Sequence, residues 1–226
     1  MGLHKIQDFN HHLINESHII RRILAGEKEL YEILLRRNNQ KLYRVIRSYI
    51  NDHAEIEDVM QNTYLKAYDK LDQFKQTATY STWLIRIGIN EALARLKEKS
   101  KFNRLHSAST LVDDHTILEM PDTNQLNPEK KIMHQEAKQL LEATIDSLET
   151  TYRTIYVLKE VEEISIKEIA EILNISISNA KVRIHRAKQM IKEKLYEQAI
   201  DKNIFEFGFS RCDRVSDQVM SVISLT

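Results

Sequence analysis

Between Ser165 and Leu195 the chain carries basic side chains at spacings that suit contact with a nucleic acid. Lys181, Arg183, His185, Arg186, Lys188, Lys192 and Lys194 follow one another, with Glu193 the only acid in that span. On a helix, such a face can reach phosphates and base edges in a major groove. The elements that would position it are also written here. Ser165 with Glu168 has the spacing of a capping box. Ile166, Ile169, Ala170 and Leu173 then make a short amphipathic helix. Asn174 stands at a sharp turn and tolerates the left-handed conformation, and Ser176 or Ser178 can cap the next helix. In that helix Ile177, Ala180, Ile184, Ala187, Ile191 and Leu195 line one face, while Ala170 is small where the two helices approach. This is the length and spacing of a helix-turn-helix. Two short helices at this spacing also occur in plain bundles, so on this segment alone both a DNA reader and a structural hairpin stand open.

No other constellation points to chemistry. There is no phosphate-binding glycine loop. The nine histidines are scattered. His11 and His12 adjoin, but no second pair or carboxylate at ligand spacing accompanies them. We expect no enzyme, no catalytic site, no metal and no cofactor. The single cysteine, Cys212, rules out a disulfide framework within the chain and fits the cytoplasm. No segment reaches about 18 apolar residues, so no direct membrane insertion is expected, and the first residues turn acidic too early for a signal peptide. The 226 residues balance 33 basic against 33 acidic side chains, so bulk charge makes no case for nucleic acid and only clustering can.

Scarce Gly (4) and Pro (2) and abundant Leu, Ile, Glu, Lys and Arg favour helices. The texture predicts an all-α chain of two compact helical domains joined by a flexible linker: 16–100, a linker over 101–130, 131–200, and an appendage over 201–226. The linker holds Pro121 and Pro128 and an acidic middle of Asp113, Asp114, Glu119 and Asp122. In the first half Asp52 and Glu55 have capping-box-like spacing. Ile56, Val59, Met60, Thr63, Tyr64, Ala67 and Leu71 form one buried stripe, leaving Asp58, Gln61, Asn62, Leu65, Lys66 and Asp69 to face elsewhere. A second helix starts near Ser81 or Thr82 and runs through Trp83, Leu84, Ile87, Ala92 and Leu96. Its end turns basic, with Arg95, Lys97, Lys99, Lys101 and Arg104, which equally suits a helix dipole.

Taken together, these stretches resemble the sigma-70 superfamily, extracytoplasmic-function type. DVMQNTYLKAYDKLDQF (58–74) is similar to sigma region 2.2, and YSTWLIRIGINEALARLK (80–97) to regions 2.3 and 2.4, with Trp83, Arg86 and Asn90 in register. LEATIDSLETTYRTIYVLKE (141–160) resembles region 4.1, and SIKEIAEILNISISNAKVRIHRAKQMIKEKL (165–195) region 4.2. The resemblance implies that Asp58, Gln61, Asn62 and Leu65 grip core RNA polymerase. It assigns Gln73, Lys75, Thr79, Trp83, Arg86 and Asn90 to single-stranded −10 DNA, although a lone Trp in a helix is more often core. Asn179, Lys181, Val182, Arg183, His185 and Arg186 fall to −35 DNA. There the long basic side chains suit guanine edges, Val182 suits a thymine methyl, and Arg183 suits phosphate. Promoter DNA, core polymerase and a regulatory anti-sigma factor are the partners this implies. The sequence departs from the family at Asn174 for a frequent glycine, at Gly88 for alanine and at Ala94 for an acid. The rival readings are a conventional helix-turn-helix regulator, which needs no 58–97 pattern, and a helical interaction protein without DNA.

Overall fold

The computed structural model describes residues 15–105 and 128–199, together with 214, 215, 217, 218 and 220. The acidic middle of the expected linker, the histidine pair, Cys212 and most of the 201–226 appendage lie outside them. Among the described residues the chain is all-helical. The helices are α1 (Glu16–Leu24), α2 (Tyr31–Arg47), α3 (His53–Asp69), α4 (Tyr80–Leu105), α5 (Pro128–Asp146), α6 (Thr150–Tyr156), α7 (Ile166–Leu173) and α8 (Ile177–Ala199). Helices α4 and α5 both reach into the stretch expected as linker. Pro128 opens α5 at a position where its missing N–H costs nothing.

Helices α1–α4 form the first bundle. Asn15 caps α1 by accepting from Ser17 N at 2.9 Å, and Asp52 caps α3 by accepting from Glu55 N at 2.8 Å. Glu55 does not return that bond. Its carboxylate takes Lys99 Nζ at 3.0 and 3.2 Å, with Arg95 at 3.9 Å, because α4 packs along α3 and brings these cations to it. The expected stripe on α3 is buried, with Met60 half-buried. Helix α4 begins at Tyr80, slightly ahead of the expected start, because Thr79 is its cap and accepts from Thr82 N at 3.1 Å. Where α4 crosses α2, a Cβ on Gly88 would lie 2.7 Å from Leu42 Cδ1. The close approach accounts for a glycine that would otherwise cost a helix interior about 1 kcal/mol.

Aromatic rings close one end of this bundle. Phe74, Tyr80 and Trp83 pack at centroid distances of 5.2–5.9 Å, and Tyr31 meets Tyr68 edge-on at 5.0 Å. The Tyr80 hydroxyl donates to the Tyr31 hydroxyl, which donates to the Tyr64 carbonyl at 2.8 Å. Burial pushes the Tyr31 phenol up to about 12, and raises Tyr64 and Tyr80 as well.

Helices α5–α8 form the second half. Helix α6 runs into a π-helical turn over Val157–Val161. Both halves of the Ser165–Glu168 capping box are made, and Asn174 adopts the left-handed conformation (φ 52°). The N–H of Ile175 closes the turn on the Ala170 carbonyl at 3.0 Å, and Ser176 caps α8 by accepting from Asn179 N at 3.1 Å. Ala170, Ala180 and Ala187 are buried at the crossing. One expected core position differs: Ile177, the first residue of α8, is 47 % exposed, while Ile172 on α7 is buried.

The two halves touch. Val45, Ile85 and Ile89 belong by chain to the first bundle, yet they pack with Ile155, Leu158 and Ile169 of the second. Helix α4 is therefore apolar on two sides. Leu84 and Ala92 face its own bundle, and Ile85 and Ile89 face α7.

Candidate nucleic-acid interface

The residues of the basic helix divide by helical geometry. Asn179, Val182, Arg183 and Arg186 recur at i, i+3, i+4 and i+7 and line one concavity of about 550 Å³ with Glu149, Thr151, Tyr152 and Ser178. Lys181 and His185 lie on the neighbouring stripe and are exposed. Val182 is 51 % exposed, an apolar side chain held in solvent among cations. Lys188, further along, is partly occupied by Glu160 at 2.9 Å. Its neighbours toward the N-terminus are the ones gathered at the helix end that a major groove admits first. Thr151 and Tyr152 add hydroxyls to the same cleft. Pattern reasoning on α8 alone missed both, because they come from the start of α6.

In the first bundle, Asp58, Gln61, Asn62 and Leu65 stand at i, i+3, i+4 and i+7 on α3, all exposed. Leu65 is 64 % exposed between amides. Trp83, Arg86 and Asn90 follow the same spacing on α4. Arg86 and Asn90 are exposed, and Trp83 is half-buried against Phe74 and Tyr80. Gln73 and Lys75 are exposed on the segment joining α3 to α4. Thr79 is engaged as the α4 cap and shares a 2.9 Å hydroxyl contact with Thr82. Of the basic run at the end of α4, Arg95 and Lys99 are turned to Glu55.

Thr82 makes a contact that sequence reasoning did not foresee. Its hydroxyl donates to Glu168 at 3.0 Å, across the two halves. Hydrogen bonds from Ser165, then the one from Thr82, hold the Glu168 carboxyl below the usual carboxylate range. The caps of α4 and α7 are thus joined through Thr79, Thr82, Glu168 and Ser165.

The class this arrangement defines is a helix-turn-helix DNA-binding protein carrying a second helical module with its own exposed polar face. Residues 34–102 match the family described as sigma-70 region 2, and residues 138–191 match sigma-70, region 4. The chain belongs to the sigma-70 family, extracytoplasmic-function (ECF) type. It is 28 % identical over 176 residues to the ECF RNA polymerase sigma factor SigW of Bacillus subtilis (strain 168), covering 78 % of this chain and 94 % of that protein. It is also 28 % identical over 181 residues to the ECF RNA polymerase sigma-E factor of Escherichia coli (strain K12), covering 78 % and 92 %. Among solved structures, the sigma factor RpoE in complex with the anti-sigma factor NepR from Bartonella quintana shares the fold with a TM-score of 0.60 at 20 % identity, covering 74 % of this chain and 96 % of that one. CnrH in complex with the cytosolic domain of CnrY gives 0.54 at 21 %, covering 80 % and 97 %.

Proposed function

We propose that this chain binds core RNA polymerase and directs promoter-specific transcription initiation, acting as a DNA-binding subunit and not as an enzyme. The observation that carries this reading is that two independent faces occur on one chain. One is an amide face around exposed Leu65; the other is a helix-turn-helix whose Asn179, Val182, Arg183 and Arg186 share one cleft. A conventional regulator would account for the second face and leave the first unexplained.

The first module, 16–100, would hold polymerase through Asp58, Gln61, Asn62 and Leu65. It would meet the −10 element with Gln73, Lys75, Trp83, Arg86 and Asn90, with Thr79 contributing chiefly as the cap that sets the start of α4. Melting exposes bases whose edges Asn90 can satisfy as donor and acceptor together. The helix-turn-helix of 131–200 would read the −35 element. Arg186, Lys181 and His185 suit base edges there, Val182 a thymine methyl, and Arg183 and Asn179 the backbone. Such work takes place in the cytoplasm, and no helix among the described residues is long and apolar enough to cross a membrane. An anti-sigma factor is the class of regulator that would hold such a subunit in reserve.

The test is run-off transcription with purified core polymerase on a genomic fragment library. New discrete start sites are expected, with Arg186→Ala and Asn90→Ala each reducing them by roughly five- to 150-fold, since one good base contact discriminates by about 1–3 kcal/mol. Absence of new transcripts together with tight binding of duplex DNA by the protein alone would favour the conventional regulator.

A further inference from the structure

We infer that the aromatic segment 205–209 of this chain, with Phe205, Phe207 and Phe209, seats in an apolar cleft beside the end of α8. The cleft holds about 470 Å³ and is lined by Tyr156 of α6 and by Lys188, Ile191, Lys192, Leu195 and Tyr196 of α8. That is the size of a hollow which takes a compact apolar ligand. Ile191 is buried on its floor, while Tyr196 at its rim is 66 % exposed. An aromatic ring left open beside an apolar hollow is surface whose burial is favourable.

Reach, composition and charge select the occupant. Helix α8 ends at Ala199, just past Tyr196, so the chain leaves the helix at the edge of the cleft. The far wall at Lys188 lies about 16 Å back along the axis, at 1.5 Å per residue. From Ala199 to Phe209 the chain can extend to about 33 Å, so a turn back over α8 brings 205–209 onto the whole cleft. The chain has six phenylalanines, and this short segment holds half of them. Their alternation with Glu206 and Gly208 would set all three rings on one side of an extended chain. Lys188 is held by Glu160 at 2.9 Å, whereas Lys192 has no ion pair among the described residues. The approach from 200 to 209 carries Asp201 and Glu206 against Lys202, an acidic balance that suits Lys192. Further along the tail Val215 is 49 % exposed, so the nearer, aromatic stretch is the one that fits. A tethered segment also meets its cleft at an effective concentration on the order of millimolar, ahead of a free partner or a second copy. This cleft shares no residue with the one lined by Asn179, Val182, Arg183 and Arg186, so a seated tail leaves that face open.

The test installs p-benzoylphenylalanine at Phe207 in the full chain and irradiates a dilute solution. The expected product is a cross-link within one chain, mapped by peptide mass spectrometry to residues 156–196. A link between chains would make a second copy the occupant, and a link elsewhere in the chain, or none, would leave the cleft uncovered. Each of these overturns the proposal. A second variant carries Phe205→Ser, Phe207→Ser and Phe209→Ser together, which removes the rings without touching the cleft. Amide hydrogen exchange over 188–196 is expected to quicken about tenfold, while exchange over α1–α4 holds and shows that the variant is folded. Unchanged exchange over 188–196 overturns the proposal as well. Neither measurement uses polymerase or DNA, so its outcome is independent of the function proposed above.

Discussion

The two halves of this chain solve the same folding problem with different means. The first bundle stacks Tyr31, Tyr64, Tyr68, Phe74, Tyr80 and Trp83 over a fully aliphatic floor of Leu34, Leu42, Ile46 and Leu84. Aromatic rings bury large areas per residue, and the hydroxyls of Tyr31, Tyr64 and Tyr80 are satisfied within the bundle. The second half combines the short α6 and α7 and a π turn with the longer α5 and α8 around a mostly aliphatic core, and it buries Ile155, Leu158 and Ile169 with help from Val45, Ile85 and Ile89 of the first. The second half has an interior of its own in Leu148, Ile172, Ala180, Ile184 and Ile191, and it extends that interior by leaning on the first bundle.

Severing the halves should have the largest effect on this contrast. A fragment of 15–105 is expected to melt cooperatively near the temperature of the whole chain. A fragment of 128–199 should lose several kcal/mol, since each core side chain it uncovers forfeits up to about 1.5–3 kcal/mol. Circular dichroism melts of the two fragments check this, and equal stability of 128–199 alone and in the chain would break the comparison.

Neighbouring residues on α4 sharpen it. Leu84→Ala should destabilise the first bundle by about 2–5 kcal/mol, read by the fluorescence of Trp83, the sole tryptophan. Ile85→Ala, one residue on and facing the other way, should move that signal by less than about 1 kcal/mol and act chiefly on the helix content of the second half. Urea titrations followed by both probes distinguish the two, and identical shifts would show that α4 does not divide its faces.

A smaller effect is expected at the α7 cap. Ser165→Ala should cost the second half about 1 kcal/mol while leaving the Trp83 transition in place.

The mildest contrast is in pH, flat near neutrality and different at the two extremes. Tyr31, Tyr64 and Tyr80 are raised by burial, so their contribution is whole below the ordinary phenol value near 10 and fades as pH climbs through the raised values, about 12 for Tyr31. Glu168 is lowered, so its contribution is whole above the ordinary carboxylate value near 4.3 and fades as pH falls through its lowered value. Alkali should therefore loosen the first bundle first, and acid the second half, as Trp83 fluorescence and circular dichroism would report separately.

Much of this was legible in the residues. The α3 stripe, the Ser165–Glu168 box and the left-handed Asn174 follow from local periodicity and capping chemistry, and local rules suffice for them. The exposed faces carrying Asp58, Gln61, Asn62 and Leu65, and Arg86 with Asn90, follow from the same spacing. What escaped was set by tertiary contact. Glu55 left its expected cap for Lys99, and Ile177 lost its neighbours at a helix end. The seam between the halves escaped because Ile85 and Ile89 lie off the stripe of Leu84, Ala92 and Leu96. A second apolar stripe on one helix was the available signal, though it does not say what covers it.

The two-sided character of α4 couples two traits that selection would otherwise set separately. Ile85 and Ile89 alternate along the helix with Arg86 and Asn90, each seam residue adjoining a proposed reading residue. A substitution at Ile85 or Ile89 that repacks the seam is expected to move Arg86 and Asn90, which stand on the same turns of the helix. Core packing and −10 preference are therefore expected to drift together as this chain diverges, because both are written on the same turns of α4.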